Sequence, residues 1–444
     1  MGELDLGLSR QNLKNTYEEA QSFYAQDDLV RACELFKQAL QLDMTHFDAM
    51  HMYGICLARL KQYEHALACF QSALVLNKNI AALHNNIGLV QDELAMFEDA
   101  KASFDQAIRL NSQYVQAFIS KGHVCLKMSD QNGAIQSFKS ALQIDPSRHA
   151  VWHQCVALHV QMQQWSEALV ANQHARVIEP SNIDYRYAEA VILNQLGEVD
   201  KAKQAFIAMQ DVGADGADLA RYHLARYSGY PMPDKAPVKY VKNLFDGFAG
   251  HFDTDLVTHL NYQVPRLMGD IIHKARRDVA INMLDLGCGT GLVGASLRSA
   301  PNRLVGVDLS SKMLAKAKEK QRYHELHESS IDVYLEAAVS QQMRAQFHVI
   351  TAADVFIYMG DLALVFECVA GLLRANGLFI FSTEDSASEP IFLTPSGRYA
   401  HHQTYIDQLA NRHGFEIQAC DAVDLRMELL QPTRGCIFTL SLQR

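Results

Sequence analysis

The sequence predicts two kinds of folded domain in one chain: an all-α repeat solenoid, followed by an α/β domain on a mostly parallel sheet. Three observations support this division. A period of 34 residues runs through the first half, strand and helix patterns alternate in the second half, and a glycine-rich turn at residues 287–291 follows the first strand pattern. Such a period indicates stacked helix pairs, and strands separated by helices indicate a doubly wound sheet.

The composition limits the partners and the compartment that we expect. A chain of 444 residues with net charge −10 has length for two or three domains, and its acidic balance argues against nucleic acid as a partner. It contains no apolar run near the ~20 residues that span a bilayer, and its acidic start lacks a signal-peptide pattern. Nine cysteines without metal-like spacing fit a reducing compartment. We therefore expect a cytoplasmic protein without a membrane segment or a bound metal.

Several residue columns carry the 34-residue period of the first half. Alanine recurs in six units, at Ala32, Ala66, Ala100, Ala134, Ala168 and Ala202. A phenylalanine stands four residues after the alanine in five of these units, and Asn172 takes its place in the fifth. Small residues such as Gly54 and Gly88 recur in the preceding helix. We expect about six helix pairs, because one accidental period does not keep several columns in register, and residues 218–227 are predicted to form a capping helix.

These columns resemble the tetratricopeptide repeat (TPR) family, which implies a TPR solenoid over residues 1–227. Solenoids of this kind present a concave surface to a peptide or protein segment. We therefore expect a peptide or protein partner, with a purely structural or assembly role as the alternative and the oligomeric state left open. The candidate side chains for the concave surface are Tyr53, Asn85, Asn86, Phe118, Lys121, Trp152 and Arg186.

A proline-rich segment separates the halves, and we expect a semi-stiff linker over residues 228–239. The second domain is predicted to occupy residues 240–444. Its strand candidates are residues 281–286, 303–307, 326–329, 347–352, 378–382, 416–419 and 435–442. The last strand follows the sixth too closely for a crossover helix, so the prediction is a seven-stranded mixed sheet with an antiparallel last strand.

The glycine-rich turn resembles motif I of class I S-adenosylmethionine-dependent methyltransferases. Residues 284–291 read Leu-Asp-Leu-Gly-Cys-Gly-Thr-Gly, and Asp308 follows 21 residues after Gly287. The nicotinamide-binding fingerprint needs a glycine at position 292, where leucine stands. In the methyltransferase family the acid equivalent to Asp308 accepts hydrogen bonds from both ribose hydroxyls. The resemblance implies a Rossmann-like methyltransferase fold that uses S-adenosyl-L-methionine and releases S-adenosyl-L-homocysteine.

The resemblance also implies a set of cofactor-binding residues. Asp285 is placed near the methionine moiety, Met313 against the adenine, and Ser330 rather than Glu336 after the third strand. Aromatic residues before the first strand, Phe245 among them, are predicted to form a lid. The full set is Tyr240, Phe248, Asp285, Gly287, Cys288, Gly289, Gly291, Asp308, Leu309, Met313, Ser330, Ile331 and Asp354.

Candidate catalytic residues follow the fourth and fifth strands. Residues 347–358 resemble the fourth motif of the methyltransferase family, and this resemblance places Asp354 at the end of the fourth strand, beside the transferring methyl. His401 is a second candidate base, since the unperturbed pKa of histidine is about 6.5. Tyr358 and Tyr399 are candidates for orienting the acceptor, and Arg398 for binding a carboxylate.

Other segments narrow the resemblance to bacterial TPR-containing methyltransferases: residues 240–253, 323–326, 358–362 and 395–401. This resemblance marks a family but does not name a substrate. Six repeats attached to a catalytic domain suggest a peptide or protein acceptor, which would receive the methyl group by in-line displacement. The alternatives are a small-molecule methyltransferase whose repeats serve assembly, a non-catalytic scaffold that binds the cofactor, and a nicotinamide-dependent oxidoreductase.

Overall fold

A computed structural model describes residues 2–227, 229–250, 252–254, 262–276, 280–341, 345–428 and 431–443. The chain divides into two compact units, residues 1–202 and 203–444. The first unit is helical and the second is built on a mixed sheet, so the predicted fold class is confirmed. Ser228, the first residue of the predicted linker, lies outside the described residues.

Paired helices joined by short turns form the first unit. In chain order they are α1 (Gly2–Ala25), α2 (Leu29–Leu42), α3 (Phe47–Arg59), α4 (Tyr63–Leu76), α5 (Ala81–Glu93), α6 (Phe97–Leu110), α7 (Val115–Lys127), α8 (Gln131–Ile144), α9 (His149–Gln161), α10 (Trp165–Ile178), α11 (Ile183–Gln195) and α12 (Val199–Met209), which crosses the division between the units. The alanine column is buried on the second helix of each pair, as at Ala32 and Ala66. The repeats therefore share one core that continues from pair to pair.

The phenylalanine column packs against the small-residue column of the same helix pair. A Cβ on Gly54 would lie 2.5 Å from the ring of Phe70, so the close approach of α3 and α4 requires glycine there. In the fifth unit Asn172 is fully buried and its amide donates a hydrogen bond to the backbone oxygen of Tyr185, 2.8 Å away. That bond offsets part of the cost of burying an amide.

The turn inside each helix pair repeats one backbone conformation. A positive φ between 57° and 76° recurs every 34 residues, at Asp27, Lys61, Ala95, Ser129, Gln163 and Gly197. Only the last of these is glycine, so five residues with side chains adopt a left-handed conformation that steric contacts disfavour. The common geometry at unlike residues indicates that helix stacking, rather than the local sequence, imposes the turn.

The second unit places helices around one sheet. Its helices are α13 (Gly213–Leu224), α14 (Val238–Phe248), α15 (Phe252–Thr254), α16 (Val264–Ala275), α17 (Leu292–Ser296), α18 (Ser311–Glu319), α19 (Ile331–Ser340), α20 (Ala363–Leu372) and α21 (Gln403–Arg412). Its strands are β1 (Asn282–Leu286), β2 (Arg303–Asp308), β3 (Glu325–Glu328), β4 (Phe347–Ala352), β5 (Leu373–Asp385), β6 (Ile391–Leu393), β7 (Tyr399–His401), β8 (Phe415–Glu428) and β9 (Gln431–Leu442). A short 3₁₀ helix, Phe356–Tyr358, follows β4.

The strand order puts a switch in direction between β1 and β4. Strands β3, β2, β1, β4 and β5 are parallel neighbours in that order, and β9 is antiparallel to both β5 and β8. These are the seven predicted strands, including the antiparallel last one. In an open α/β sheet, ligands bind beyond the carboxyl ends of the strands at such a switch point.

Two further strands were not predicted, so the sheet has nine strands rather than seven. Strands β6 and β7 contain three residues each, which is too short for an alternating pattern to show in the sequence. They pair with each other, and β7 pairs with β5 at Glu384 and Asp385, beyond the β5 residues that pair with β4. The resulting β6–β7 hairpin lies at the carboxyl end of the sheet.

Helix α13, which the sequence predicts as a cap of the repeats, belongs to the second unit. Its Tyr222 is fully buried, and the Tyr222 hydroxyl donates a hydrogen bond to the backbone oxygen of Gly397 in the β6–β7 hairpin. Arg226 donates to the backbone oxygen of Pro395 in the same hairpin. The division at residues 202 and 203 therefore differs from the predicted boundary after Tyr227, because α13 buries its apolar face in the second unit.

The described residues contain neither a candidate membrane-spanning helix nor a candidate metal-binding group. Within the described ranges, no helix combines the length and the apolarity that a membrane crossing needs. The same part of the chain holds no group of three or more His, Cys, Asp or Glu side chains placed to bind a metal ion. The nine cysteines are free thiols.

Candidate functional site

The turn after β1 uses left-handed backbone at all three of its glycines. The φ angle is 67° at Gly287, 53° at Gly289 and 85° at Gly291, values that other residues rarely adopt. A Cβ on Gly287 would also clash with the side chain of Val355, which follows β4. The nearest atom to a Cβ on Gly289 would be in the Phe252 ring, 4.0 Å away. The turn therefore brings the ends of β1 and β4 together and leaves space above Gly289.

Asp308 ends β2 beside this turn. Its carboxylate accepts hydrogen bonds from the backbone nitrogens of Gly289, at 2.9 Å, and Ser310, at 2.8 Å. Burial raises the pKa of Asp308, and the backbone hydrogen bonds act in the opposite direction. A carboxylate has about four lone-pair sites, so Asp308 keeps the capacity to accept from a pair of ligand hydroxyls.

Two adjoining cavities lie at the carboxyl end of the sheet, with volumes of about 360 and 70 Å³. The residues that line both are Phe245, Gly287, Asp308, Val355 and Tyr358. Aromatic rings form one side of the larger cavity: Tyr240, Phe248, Phe252 and Tyr262. Its charged wall is formed by Asp354, Arg398 and Arg426, whereas Leu309, Ser330 and Ile331 line the smaller cavity.

The segment before β1 covers these cavities through α14. The predicted lid residues Tyr240, Phe245 and Phe248 all line the larger cavity. Two polar contacts attach α14 to the sheet: Lys242 pairs with Glu328 at 2.5 Å, and Asp246 accepts a hydrogen bond from the hydroxyl of Ser310. The structure thus brings the predicted lid next to Asp308.

Asp285 lies beneath the glycine turn. Its side chain is fully buried and accepts hydrogen bonds from the hydroxyls of Tyr323, at 2.6 Å, and Thr351, at 2.7 Å. Burial raises the pKa of Asp285 to about 6, and these two hydrogen bonds act in the opposite direction. Asp285 lines neither cavity, so the geometry gives it a role in holding the turn, not in touching a ligand.

Asp354 follows β4 in a left-handed conformation, with φ at 54°. Both of its carboxylate oxygens accept from Nη1 of Arg426, at 2.9 and 2.8 Å. Nη2 of Arg426 donates to Glu384, and Nη1 of Arg398 lies 3.8 Å from the same Glu384 carboxylate. Burial raises the pKa of Glu384, and the two arginines act in the opposite direction. Acids and arginines therefore alternate along one wall of the larger cavity.

Comparisons with known families identify both halves of the chain. A methyltransferase domain family matches residues 284–379, the tetratricopeptide repeat family matches residues 81–114 and 115–148, and the family of anaphase-promoting complex (cyclosome) subunit 3 matches residues 1–73. Residues in the second half thus match a methyltransferase domain family, and residues in the first half match tetratricopeptide repeats. This confirms the resemblance on which the sequence prediction was based.

Curated relatives align with separate parts of the chain. A ubiquinone biosynthesis O-methyltransferase of Hydrogenovibrio crunogenus is 24% identical over 160 residues, which are 32% of this chain and 65% of that protein. A protein of the same name from Aromatoleum aromaticum is 33% identical over 105 residues, 23% of this chain and 43% of that protein. The human protein O-mannosyl-transferase TMTC3 is 28% identical over 101 residues, 22% of this chain and 11% of that protein. The chain thus spans less than two thirds of each of these relatives.

Solved structures similar to the chain include MamA and YrrB. MamA is 18% identical with a TM-score of 0.35, over 36% of this chain and 94% of MamA. YrrB, described as a TPR protein with an unusual peptide-binding site, is 21% identical with a TM-score of 0.36, over 42% of this chain and 96% of YrrB.

Most of the predicted cofactor residues meet at the cavities of the methyltransferase domain, and three do not line them. Asp285 lies beneath the turn, Gly291 is the last residue of the turn, and Met313 is fully buried on α18. Met313 is buried because one face of α18 packs on the sheet, so its contact with the adenine stays a prediction. Ser330 lines the smaller cavity, whereas Glu336 is exposed on α19, as expected from its spacing.

The predicted catalytic residues of the methyltransferase domain separate into two groups. Asp354, Tyr358 and Arg398 line the larger cavity. His401 and Tyr399 do not. His401 is buried in β7 with Nε2 2.9 Å from the backbone oxygen of Gly360, and burial lowers its pKa to about 4. The fully buried Tyr399 donates to the backbone oxygen of Pro233 at 2.7 Å. The unpredicted β7 turns both side chains into the core, so neither lines the cavity at which they were predicted to act.

Sequence reasoning missed Arg426, Glu384 and Tyr262 as parts of the site. Arg426 and Tyr262 line the larger cavity, and Glu384 binds Arg426 from β5. The sequence held no signal for Arg426 and Glu384, because both lie beyond the predicted strands, residues 416–419 and 378–382. Their pairing joins β5 to β8 and was not readable from spacing.

Proposed function

We propose that this chain is an S-adenosyl-L-methionine-dependent methyltransferase whose repeats select a peptide or protein acceptor. The observation that carries the proposal is the position of Asp308, which lines both cavities next to the left-handed glycine turn. A carboxylate matches the two hydroxyls of a ribose, and glycine backbone allows close approach of a ligand. The donor set therefore fits a nucleoside cofactor.

The cavities suggest how this chain would hold the two ends of that cofactor. Leu309, Ser330 and Ile331 would hold the adenosine end in the smaller cavity. The larger cavity, lined by Gly289 and Asp354, would hold the amino-acid end and the acceptor. Asp308 would hold the ribose between the two.

The protein contributes alignment and exclusion of water to the proposed reaction. The bound cofactor supplies an electrophilic methyl group on a sulfonium, so the chain must orient the acceptor for in-line displacement. Burial raises the pKa of Tyr358 far above its usual range, so its hydroxyl remains a hydrogen-bond donor at neutral pH. Arg426 occupies both oxygens of Asp354. Tyr358 is therefore suited to orient the acceptor, and the paired Asp354 carboxylate is poorly suited to remove its proton.

A small-molecule acceptor is the second candidate. Two of the relatives are named as ubiquinone biosynthesis O-methyltransferases. The larger cavity presents the rings of Tyr240, Phe248, Phe252 and Tyr262, and such rings would pack against an aromatic acceptor. In that case the repeats would serve assembly.

The cofactor is tested by calorimetric titration with S-adenosyl-L-homocysteine. The full chain should bind it, and Asp308→Ala should weaken binding about tenfold or more, the scale of hydrogen bonds to a charged group. The control Asp270→Ala removes a carboxylate of α16 that pairs with Arg298 away from the cavities, and should bind normally. Binding of NADH without S-adenosyl-L-homocysteine would contradict the proposal.

The acceptor class is tested with S-adenosyl-L-methionine that carries a tritiated methyl group. The full chain is incubated with this donor and a bacterial lysate, and protein-bound label is separated from label that organic solvent extracts. A discrete labelled protein, absent with Asp308→Ala, is the expected result. Label confined to the organic extract would favour the small-molecule acceptor.

A further inference from the structure

We propose that Arg426 is a positioning residue, which fixes the Asp354 carboxylate to bind the ammonium group at the amino-acid end of the methyl donor. This inference rests on the proposed function and deepens it at one site. It joins three observations on the larger cavity: a left-handed residue after β4, a bulge in β8 and a buried chain of alternating charges.

The backbone at Asp354 is strained, and a hydrogen bond to β5 holds it in place. Its φ of 54° lies in the left-handed region, which Asp tolerates better than most residues but still at a steric cost. The Asp354 backbone nitrogen donates to the hydroxyl of Ser382 on β5, at 2.8 Å. Strained backbone that neighbours hold in this way clusters at functional sites. The held conformation therefore indicates a functional role for the Asp354 side chain.

A bulge in β8 accompanies the burial of Arg426. Asp424 pairs with Arg434 and Arg426 pairs with Thr433, so Leu425 is one extra residue on β8. Leu425 is fully buried and Arg426 is 4% exposed, although consecutive residues of a regular strand point to opposite faces. Bulges next to active sites re-aim side chains. This one places a guanidinium against the end of β4.

The buried charges are balanced in a fixed order. Nη1 of Arg426 contacts both oxygens of Asp354 while Nη2 binds Glu384, so one guanidinium bridges two acids. Both side chains line the larger cavity, and Asp354 is the more exposed of the two, at 15% against 4% for Arg426. An arginine held on its far side by Glu384 cannot swing away, and the carboxylate direction is set.

The wall matches the chemistry of an α-amino acid. Such a group is a zwitterion that needs an acceptor for its ammonium and a donor for its carboxylate. Asp354 keeps lone pairs beyond those used by Arg426, and the guanidinium of Arg398 lines the same cavity. The residues present thus offer both partners on one wall.

The test compares two ligands that differ by the amino-acid end. S-adenosyl-L-homocysteine carries it, and 5′-methylthioadenosine lacks it. Arg426→Gln and Glu384→Gln in the full chain should each weaken binding of S-adenosyl-L-homocysteine about tenfold and change that of 5′-methylthioadenosine less than about twofold. Arg426→Lys, which keeps the charge, should restore part of the loss.

Arg303→Gln is the matched control, because Arg303 also forms a strand-borne pair, with Glu325, but lines neither cavity. Its ratio of the two affinities should equal that of the wild type. Equal losses for both ligands, or unchanged binding in a folded Arg426→Gln protein, would overturn the inference. If Arg426→Gln does not fold, Glu384→Gln decides, since it replaces a buried acid by a neutral amide of the same shape. Failure of the wild type to bind either ligand would contradict the proposed function instead.

Discussion

Two aspartates close to the glycine turn show how burial separates similar side chains. Asp285 has no cavity beside it and holds Tyr323 and Thr351, whereas Asp308 has a cavity on each side. The motif predicted both residues, but it could not tell which one faces a ligand. That distinction depends on Tyr323, 38 residues away, which fills the space beneath the turn.

The raised pKa of Asp285 leads to a prediction about stability and pH. Because its pKa is raised to about 6, the folded state binds a proton more tightly than the unfolded state, and stability is lost as pH rises from about 4 through 6. In Asp285→Asn this loss is absent. The melting temperature of the variant relative to the wild type should therefore increase between pH 4 and pH 7.

Asp270→Asn provides the opposite case. Arg298 lowers the pKa of Asp270, so its contribution is present above the unfolded pKa and is lost as pH falls. The relative melting temperature of this variant should decrease as pH rises from about 2 to about 4 and change little between pH 4 and pH 7. A parallel trend for both variants would show that Asp285 is not responsible.

At the scale of elements, the repeat turns contain stored strain. Ala95 is exposed, with φ at 58° between α5 and α6. Glycine adopts this conformation at no steric cost, so Ala95→Gly should stabilise the chain by up to about 1 kcal/mol. Thermal unfolding measures the change.

Ala68→Gly makes the same substitution at an exposed position inside α4. There glycine should destabilise by about 1 kcal/mol. The two variants differ only in the backbone conformation of the site, so a loss of stability in both would contradict the assignment of strain to the turn.

The elements differ in how far the sequence predicts them. The repeat helices and β4 were readable because their apolar patterns extend over a full element, and β4 has the predicted bounds Phe347–Ala352. The hairpin of β6 and β7 was not, since each of these strands contains only three residues. The burial of His401 and Tyr399 was unpredicted for that reason: their motif was visible, but the strand that turns them inward was not.

At the scale of the whole molecule, α13 carries a prediction about where the chain can be cut. A fragment of residues 228–444 follows the predicted boundary, and one of residues 199–444 keeps α12 and α13 whole. Without Tyr222 and Arg226 the β6–β7 hairpin loses two hydrogen bonds and the packing of a buried ring. The shorter fragment should therefore melt at a lower temperature and bind S-adenosyl-L-homocysteine more weakly.

Tyr222→Phe in the longer fragment separates the hydroxyl from the helix. It should lower the melting temperature by a smaller amount, because the ring that packs near Tyr240 and Tyr399 remains. Equal melting temperatures for the two fragments would show that α13 is dispensable to the second unit.

The position of α13 also bears on how such chains can be recombined. Only residues 210–212 connect it to α12. A domain boundary placed at the end of the helical sequence pattern would therefore remove α13 from the unit in which it is buried. An exchange of one repeat array for another keeps the second unit intact only if the retained segment begins near residue 203, inside α12. The boundary at which recombination would preserve the second unit thus lies upstream of the boundary that the sequence pattern predicts.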